Sequence, residues 1–303
     1  GIGQHAGRGM SVAFADYDGD GLMDIFVTND NMPNFLFHNR GKGTFEETAL
    51  LAGVALPDRG QPISSMGADF RDYDNDGLPD IAVTALAGET FPLFRNDGQG
   101  LFHDATYASK IGPLSNGHSG WGNMFLDLDN DGWKDLFTAN SHVNDRIEAM
   151  ESHAYKEANS AFHNVGGKFT NETPETMKAV RRAHRGAAFG DFDGDGRVDL
   201  VVSSLGEPAE LWRNTTANSG NWVAFRLKGT RSNRDGIGAR IRVGKQWNEM
   251  TSAVSYASAS LVPVHFGVGA ARELDDVEIR WPSGRVQQLN HVPVNRIVDV
   301  SEP

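Results

Sequence analysis

Phe189-Gly-Asp191-Phe-Asp193-Gly-Asp195-Gly-Arg-Val-Asp199 is the stretch whose reading decides the fold. Its pattern recurs at Phe14-Ala-Asp16-Tyr-Asp18-Gly-Asp20-Gly-Leu-Met-Asp24, at Phe70-Arg-Asp72-Tyr-Asp74-Asn-Asp76-Gly-Leu-Pro-Asp80 and at Phe125-Leu-Asp127-Leu-Asp129-Asn-Asp131-Gly-Trp-Lys-Asp135. The leading aspartates are 56, 55 and 64 residues apart, and self-similarity at such a period marks a repeat architecture. The flanks, such as Ser11–Ala15, Ile25–Thr28 and Leu200–Ser203, are short, rich in β-branched and aromatic residues, and bounded by Gly and Asp; they read as strands. A second element follows each loop: Leu36-Phe-His-Asn39, Leu93-Phe-Arg-Asn96, Ala161-Phe-His-Asn164 and Leu211-Trp-Arg-Asn214. The first three continue through a Gly-containing turn to Phe45, Phe102 and Phe169. The unit is strand, acidic loop, strand, gap, strand, turn, strand. Four strands per repeat predict an all-β chain of β-propeller blades, with a β-sandwich as the alternative.

The loops carry the chemistry of a hard divalent cation. In Asp-x-Asp-x-Asp-Gly-x-x-Asp a tight turn aims alternate carboxylates at one point. Four converging negative charges repel unless a cation neutralises them, and oxygen ligands in that number suit Ca²⁺ better than the strictly octahedral Mg²⁺. The expected ligands are Asp16, Asp18, Asp20 and Asp24; Asp72, Asp74, Asp76 and Asp80; Asp127, Asp129, Asp131 and Asp135; and Asp191, Asp193, Asp195 and Asp199. The backbone carbonyls of Leu22, Leu78, Trp133 and Arg197 are expected to join them, which explains why those side chains vary. About four Ca²⁺ ions are therefore expected. Gly21, Gly77, Gly132 and Gly196 permit the sharp turn. The loops are not EF-hands, because Val27, Val83, Thr138 and Val202 stand where a bidentate Glu is needed.

Charge divides the chain. Residues 1–219 carry 17 Lys+Arg against 32 Asp+Glu, whereas 220–303 carry 11 against 8. Two regions are expected, 1–219 and 220–303, joined through the polar stretch Asn214–Gly220. Strands are expected at Trp222–Leu227, Ala239–Val243, Leu261–Phe266, Val277–Trp281 and Ile297–Val300, forming a small β-sandwich-like domain. The third repeat is longer by an insertion near His142–Asn159, where Arg146–Glu157 is expected to be helical with Ile147, Met150 and Ala154 on one face.

The repeats resemble the FG-GAP and VCBS repeats of integrin-α-like β-propellers; Phe189-Gly190 matches that pattern literally, and Phe14, Phe70 and Phe125 keep the aromatic. Gly229-Thr-Arg-Ser-Asn-Arg-Asp-Gly-Ile-Gly-Ala-Arg240, His265-Phe-Gly-Val-Gly269 and Trp281-Pro-Ser-Gly-Arg285 closely resemble the ASPIC and UnbV domain that follows such repeats in the cartilage acidic protein family. Val268 replaces an expected Leu. The resemblance implies an extracytoplasmic location, brings no agreed activity, and implies a larger ring of which this chain is the C-terminal half. An incomplete ring is expected, its first blade lacking one strand and its open edge buried by a partner or by further blades.

The formal net charge of −12 argues against a nucleic-acid partner. No apolar stretch is long enough for a membrane span. The absence of Cys excludes thiol chemistry and disulfides. No nucleophile elbow or His-Glu-x-x-His is present. His38 and His163 share their repeat position with Arg95 and Arg213, which points to structure rather than catalysis. Arg231, Arg234, Arg240 and Arg242 read as sheet-surface residues, with anion binding as the alternative. The function expected is a non-enzymatic, calcium-stabilised, extracytoplasmic module for protein or glycan interaction or a subunit of a larger assembly. The alternative is an enzyme acting on glycans or lipids, with its site on the propeller face or the insertion.

Overall fold

Each acidic loop joins the first two strands of an antiparallel sheet. The computed structural model describes residues 1–303. Blade 1 holds β1 (Gly9–Ala15), β2 (Asp24–Asn29), β3 (Phe35–Asn39) and β4 (Phe45–Glu47). Blade 2 holds β5 (Ala68–Arg71), β6 (Asp80–Val83), β7 (Leu93–Gly98) and β8 (Leu101–Asp104). Blade 3 holds β9 (Gly120–Leu126), β10 (Asp135–Asn140), β11 (Ser160–Val165) and β12 (Lys168–Asn171). Blade 4 holds β13 (His184–Gly190), β14 (Asp199–Ser204) and β15 (Glu207–Trp212). Strands follow one another in sequence order within every blade. Short helices α1 (Ala49–Ala52), α2 (Ile111–Ser115) and α3 (Glu175–Lys178) lie in the connections between blades. The chain is an all-β array of propeller blades.

The first strands stand side by side in the order β1, β5, β9, β13, and β13 makes no comparable contact with β1. The blades therefore form an open arc. Burial follows from this stacking. Every residue of β9 and β10 is buried, because blade 3 is covered on both faces. β1 alternates instead, with Val12 39% exposed, because blade 1 has a neighbouring blade on one face only. The incomplete blade is the fourth, which has three strands, and not the first, which has all four. The reason is visible in the repeat itself: after Asn214 the chain leaves for the next sheet instead of turning back to a Phe.

The insertion is not the expected helix. It contains one 3-10 turn, Ile147–Ala149, and is held by isolated bridges from Ser141 to Lys156 and from Glu157 to Arg182. Side chains take the amides a helix would use: His142 accepts from Asn144 N, Asn144 from Arg146 N, and Glu148 from Tyr155 N. Ile147 is buried but Met150 is exposed, so no continuous apolar face forms.

The C-terminal part adds β16 (Asn221–Lys228), β17 (Arg240–Val243), β18 (Gln246–Glu249), β19 (Val264–Gly269), β20 (Glu273–Leu274), β21 (Val277–Arg280), β22 (Val286–Leu289), β23 (Val292–Pro293) and β24 (Arg296–Ser301). The sheets β19-β16-β24 and β18-β17-β21-β22 enclose one core that includes Val223, Phe225, Ile241, Phe266, Ile279 and Trp281. Its last strand is fastened by Glu302, a buried carboxylate that accepts the main-chain amides of Thr230, Arg231 and Ser232 and the hydroxyls of Ser232 and Ser283. Desolvation opposes ionisation there, but these hydrogen bonds outweigh it and hold the carboxyl well below its usual range. A depressed carboxyl stabilises above its unfolded pKa and loses that contribution as pH falls. Glu302→Gln is therefore expected to lower the melting temperature at pH 7 by more than at pH 3, inside the window below the ordinary carboxyl value where the contribution fades; equal losses at both pH values would refute the role of its charge.

This domain rests on the acidic loops. Arg240 donates to the Gly77 carbonyl (3.0 Å), Gly220 and Gly269 donate to Asp129 and Asn130 carbonyls (2.8 and 2.9 Å), and His265 Nε2 lies 3.1 Å from the Gly196 carbonyl. At Gly196, with φ of +86°, a Cβ would overlap the Trp222 indole, so glycine serves both the turn and the docking. Segment 251–262 reaches the first strands: Ser11 donates to the Ser255 carbonyl, Phe189 N to the Ser260 hydroxyl, and Tyr256 packs edge-on against Trp121.

Candidate metal-binding loops

The four loops share one hydrogen-bond scheme. The first aspartate accepts the amide of the sixth residue: Asp16 from Gly21, Asp72 from Gly77, Asp127 from Gly132 and Asp191 from Gly196, at 2.9–3.1 Å. The glycines have φ of 87°, 93°, 96° and 86°, and the fourth residues Gly19, Asn75, Asn130 and Gly194 are left-handed as well. The aspartate at the fifth position accepts the amide of Leu22, Leu78, Trp133 or Arg197. The ninth, buried in every loop, bridges two amides. One comes from the second loop residue: Tyr17, Tyr73, Leu128 or Phe192. The other comes from the repeated Asn: Asn39, Asn96, Asn164 or Asn214. Donated amides fold the loop and leave further carboxylate lone pairs free.

Convergence is direct in the first two loops, where ligand atoms of Asp16, Asp18 and Asp24, and of Asp72, Asp74 and Asp80, lie within 4.8 Å of one another. In the third, Asp129, Asp135 and His163 do so. Part of this charge is left without a protein partner. Asp16 Oδ1 is buried with no donor. Burial, with the charges of Asp18 and Asp16 added, pushes the Asp24 carboxyl up to about 7 against the amides of Asn39 and Tyr17. Burial, with Asp76 and Asp74, pushes Asp72 up to about 6 although Lys134 lies near. Asp80 and Asp127 are raised well above the ordinary value, mainly by burial and then by neighbouring aspartates. The partly buried, mutually repelling carboxylates of the first two loops fit a hard divalent cation.

Two positions singled out in the sequence find their partners here. The residue before each repeated Asn leans over its own loop. His38 lies 3.4 Å from Asp18 and Asp24, Arg95 2.6 Å from Asp74 and Asp76, His163 3.0 Å from Asp135 and Arg213 2.5 Å from Asp193. The hydrogen bond to Asp135 raises His163 to about 9. The second is the Asn side chain. Asn96 donates to the Tyr17 carbonyl, Asn164 to Tyr73 and Asn214 to Leu128, each in the loop of the preceding blade, at 2.9, 2.8 and 2.7 Å. Each Asn thus ties its blade to the neighbouring acidic loop. The signal for it is Asn in four repeats out of four at one position. Of the basic cluster, Arg234 pairs with Asp235 and Arg242 with Asp276, and Arg240 is spent on Gly77.

The FG-GAP-like repeat pattern matches residues 16–83, 72–138 and 149–202, more than half of the chain. The chain belongs to the FG-GAP-like repeat family. Residues 229–303 match the ASPIC and UnbV domain. Cartilage acidic protein 1 of Mus musculus is 28% identical over 98% of this chain and 45% of its own length. T-cell immunomodulatory protein of Rattus norvegicus is 26% identical over 63% of this chain and 29% of its own length. The chain thus spans less than half the length of these curated relatives. Among solved structures, the lectin of Aleuria aurantia, described as a six-bladed β-propeller, aligns over 95% of this chain and 98% of its own at 9% identity and a TM-score of 0.39. The Bacillus licheniformis rhamnogalacturonan lyase aligns over 97% and 72% at 11% identity and a TM-score of 0.40. No helix is long and apolar enough to cross a membrane. The chain is thus an array of such repeats followed by an ASPIC and UnbV domain.

Proposed function

We propose that this is a calcium-stabilised, extracytoplasmic module that binds protein or glycan partners, or is a subunit of a larger assembly, and does not catalyse a reaction. The carrying observation is the convergence of three carboxylates in each of the first two loops, with raised proton affinity at Asp24 and Asp72 and an unpartnered oxygen on Asp16, in loops whose amides are already used for folding. Asp16, Asp18, Asp20 and Asp24, and their counterparts at 72–80, 127–135 and 191–199, hold the ions with the seventh-residue carbonyls. The ion supplies countercharge and cross-links strands. Because the C-terminal domain sits on these loops, calcium also sets the docking of the two regions. Single-loop sites of this type fill where calcium is plentiful, which favours an extracytoplasmic setting.

Metal analysis of protein dialysed against calcium buffer is expected to give about four ions per chain, and Asp18→Ala or Asp129→Ala one fewer each. No bound calcium would sink the reading. Pull-down from native extracellular material, with and without chelator, identifies the partner.

A further inference from the structure

The fourth residue of every acidic loop is left-handed, with φ of 79° at Gly19, 60° at Asn75 and Asn130, and 74° at Gly194. Glycine meets that requirement most easily, so asparagine in the loops of blades 2 and 3 calls for a use of its side chain. Both side chains leave their own loop. Asn75 Nδ2 donates to the Gly132 carbonyl in loop 3 (2.9 Å), and Asn130 Nδ2 donates to the Gly196 carbonyl in loop 4 (3.2 Å). Asn130 is 1% exposed, and neither Oδ1 atom receives a donor, so this one bond is what each side chain contributes. Gly19 has no side chain to offer loop 2, whose Gly77 carbonyl is held by Arg240 of the C-terminal domain instead.

Donors and acceptors both sit among the expected ligands. Asn75 lies between Asp74 and Asp76, and Asn130 between Asp129 and Asp131. The Gly132 carbonyl belongs to the peptide unit whose N–H, on Trp133, donates to Asp131 (2.7 Å). The Gly196 carbonyl belongs to the unit whose N–H, on Arg197, donates to Asp195 (3.0 Å). The next carbonyls along the chain, those of Trp133 and Arg197, are the expected ligands. Lys134 adds a link in the other direction, from loop 3 to the Asp72 carbonyl (2.8 Å).

We propose, on the basis of the calcium reading above, that Asn75 and Asn130 couple calcium binding between neighbouring loops, so that loops 2, 3 and 4 load as one cooperative unit while loop 1 loads by itself. When the carboxylates on either side of Asn75 converge on one ion, the backbone between them is fixed and the amide is aimed at the Gly132 peptide. Loop 3 then loses less conformational freedom in placing Asp131 and the Trp133 carbonyl, which raises its affinity. By linkage, an ion in loop 3 raises the affinity of loop 2 by the same factor. Asn130 repeats the relation between loops 3 and 4. The C-terminal domain docks on carbonyls of these same three loops, through Arg240 on Gly77, Gly269 on Asn130 and His265 on Gly196. Cooperative loading therefore sets that domain in place over a narrow range of calcium concentration.

The test is calcium titration of the full chain by competition with a chromophoric chelator. Asp74→Ala removes the site of loop 2 and is expected to weaken at least one remaining site about fivefold or more. Asp18→Ala makes the same change of charge in loop 1 and is expected to leave the remaining three within about twofold. Asn75→Gly gives loop 2 the residue that loops 1 and 4 already have at that position, and is expected to hold as many ions at saturation as the unaltered chain. In that background Asp74→Ala weakens the remaining sites by a smaller factor. The same factor with and without Asn75 overturns its role, and equal effects of Asp74→Ala and Asp18→Ala overturn the coupling. If Asn75→Gly does not fold, the comparison of Asp74→Ala with Asp18→Ala still decides. Ions bound at every loop without interaction overturn the coupling alone, whereas no bound calcium overturns the calcium reading and the coupling together.

Discussion

Chelating calcium at pH 7.5 is expected to lower the melting temperature of this chain by about 20 °C or more. A site present in the folded state alone contributes RT ln(1 + [L]/Kd), about 2.7 kcal/mol when free calcium exceeds Kd a hundredfold, so four sites contribute about 11 kcal/mol. At about 2–4 °C per kcal/mol for chains of this size, the shift is large. The expectation has a pH signature. Without metal, Asp24 and Asp72 have carboxyls at about 7 and about 6, mainly through burial and then through their neighbours' charges. Their unfolded values lie near 3.9. A folded pKa above the unfolded one means that the folded state binds more protons, so metal-free stability falls as pH rises from about 4 to about 7. Calcium replaces those protons. The chelator effect should therefore be largest above pH 7 and shrink toward pH 5. Calorimetry with and without EGTA at both pH values checks this, and an unchanged melting temperature on chelation at pH 7.5 rules out structural calcium.

The blades and loops were legible in the sequence because both are local. Asp-x-Asp-x-Asp-Gly fixes its own turn, and the φ values of Gly21, Gly77, Gly132 and Gly196 follow from it. The absence of a Phe after Asn214 already marks the fourth repeat as short, yet the missing strand was expected in blade 1. That expectation came from ring closure, a global property, where the local pattern was the better guide. The reach of Asn164 across 91 residues to Tyr73 could not be read from spacing, because it depends on how blades stack. The insertion failed for a related reason. Its residues favour a helix, but propensity is overridden where no neighbour offers an apolar surface to hold Met150, and Asn144, His142 and Glu148 capture the backbone instead. Leu261–Val262 was expected within a strand, but β19 begins at Val264, because the preceding segment is used to reach the first strands of the propeller.

The repeated asparagine should matter most where a preceding blade exists. Asn164 is fully buried, donates to the Tyr73 and Lys134 carbonyls and accepts the Gly167 amide. Asn164→Ala leaves those three groups buried and unpaired, at about 1–2 kcal/mol each, and is expected to cost about 3–6 kcal/mol. Asn39 occupies the same position in blade 1, donates to the Met23 carbonyl alone and accepts from Gly41, in a half-buried setting. Water replaces the lost partner there, so Asn39→Ala is expected to cost about 1 kcal/mol. Urea unfolding of the two variants in calcium buffer compares them directly. Equal losses would mean that the Asn side chain serves only its own hairpin. A loss several times larger at Asn164 assigns it to the joint between blades. That joint runs from Asn164 to the main chain of the acidic loop beside Asp72 and Asp74, so the same substitution should also weaken calcium binding in blade 2 while leaving the first loop unaffected.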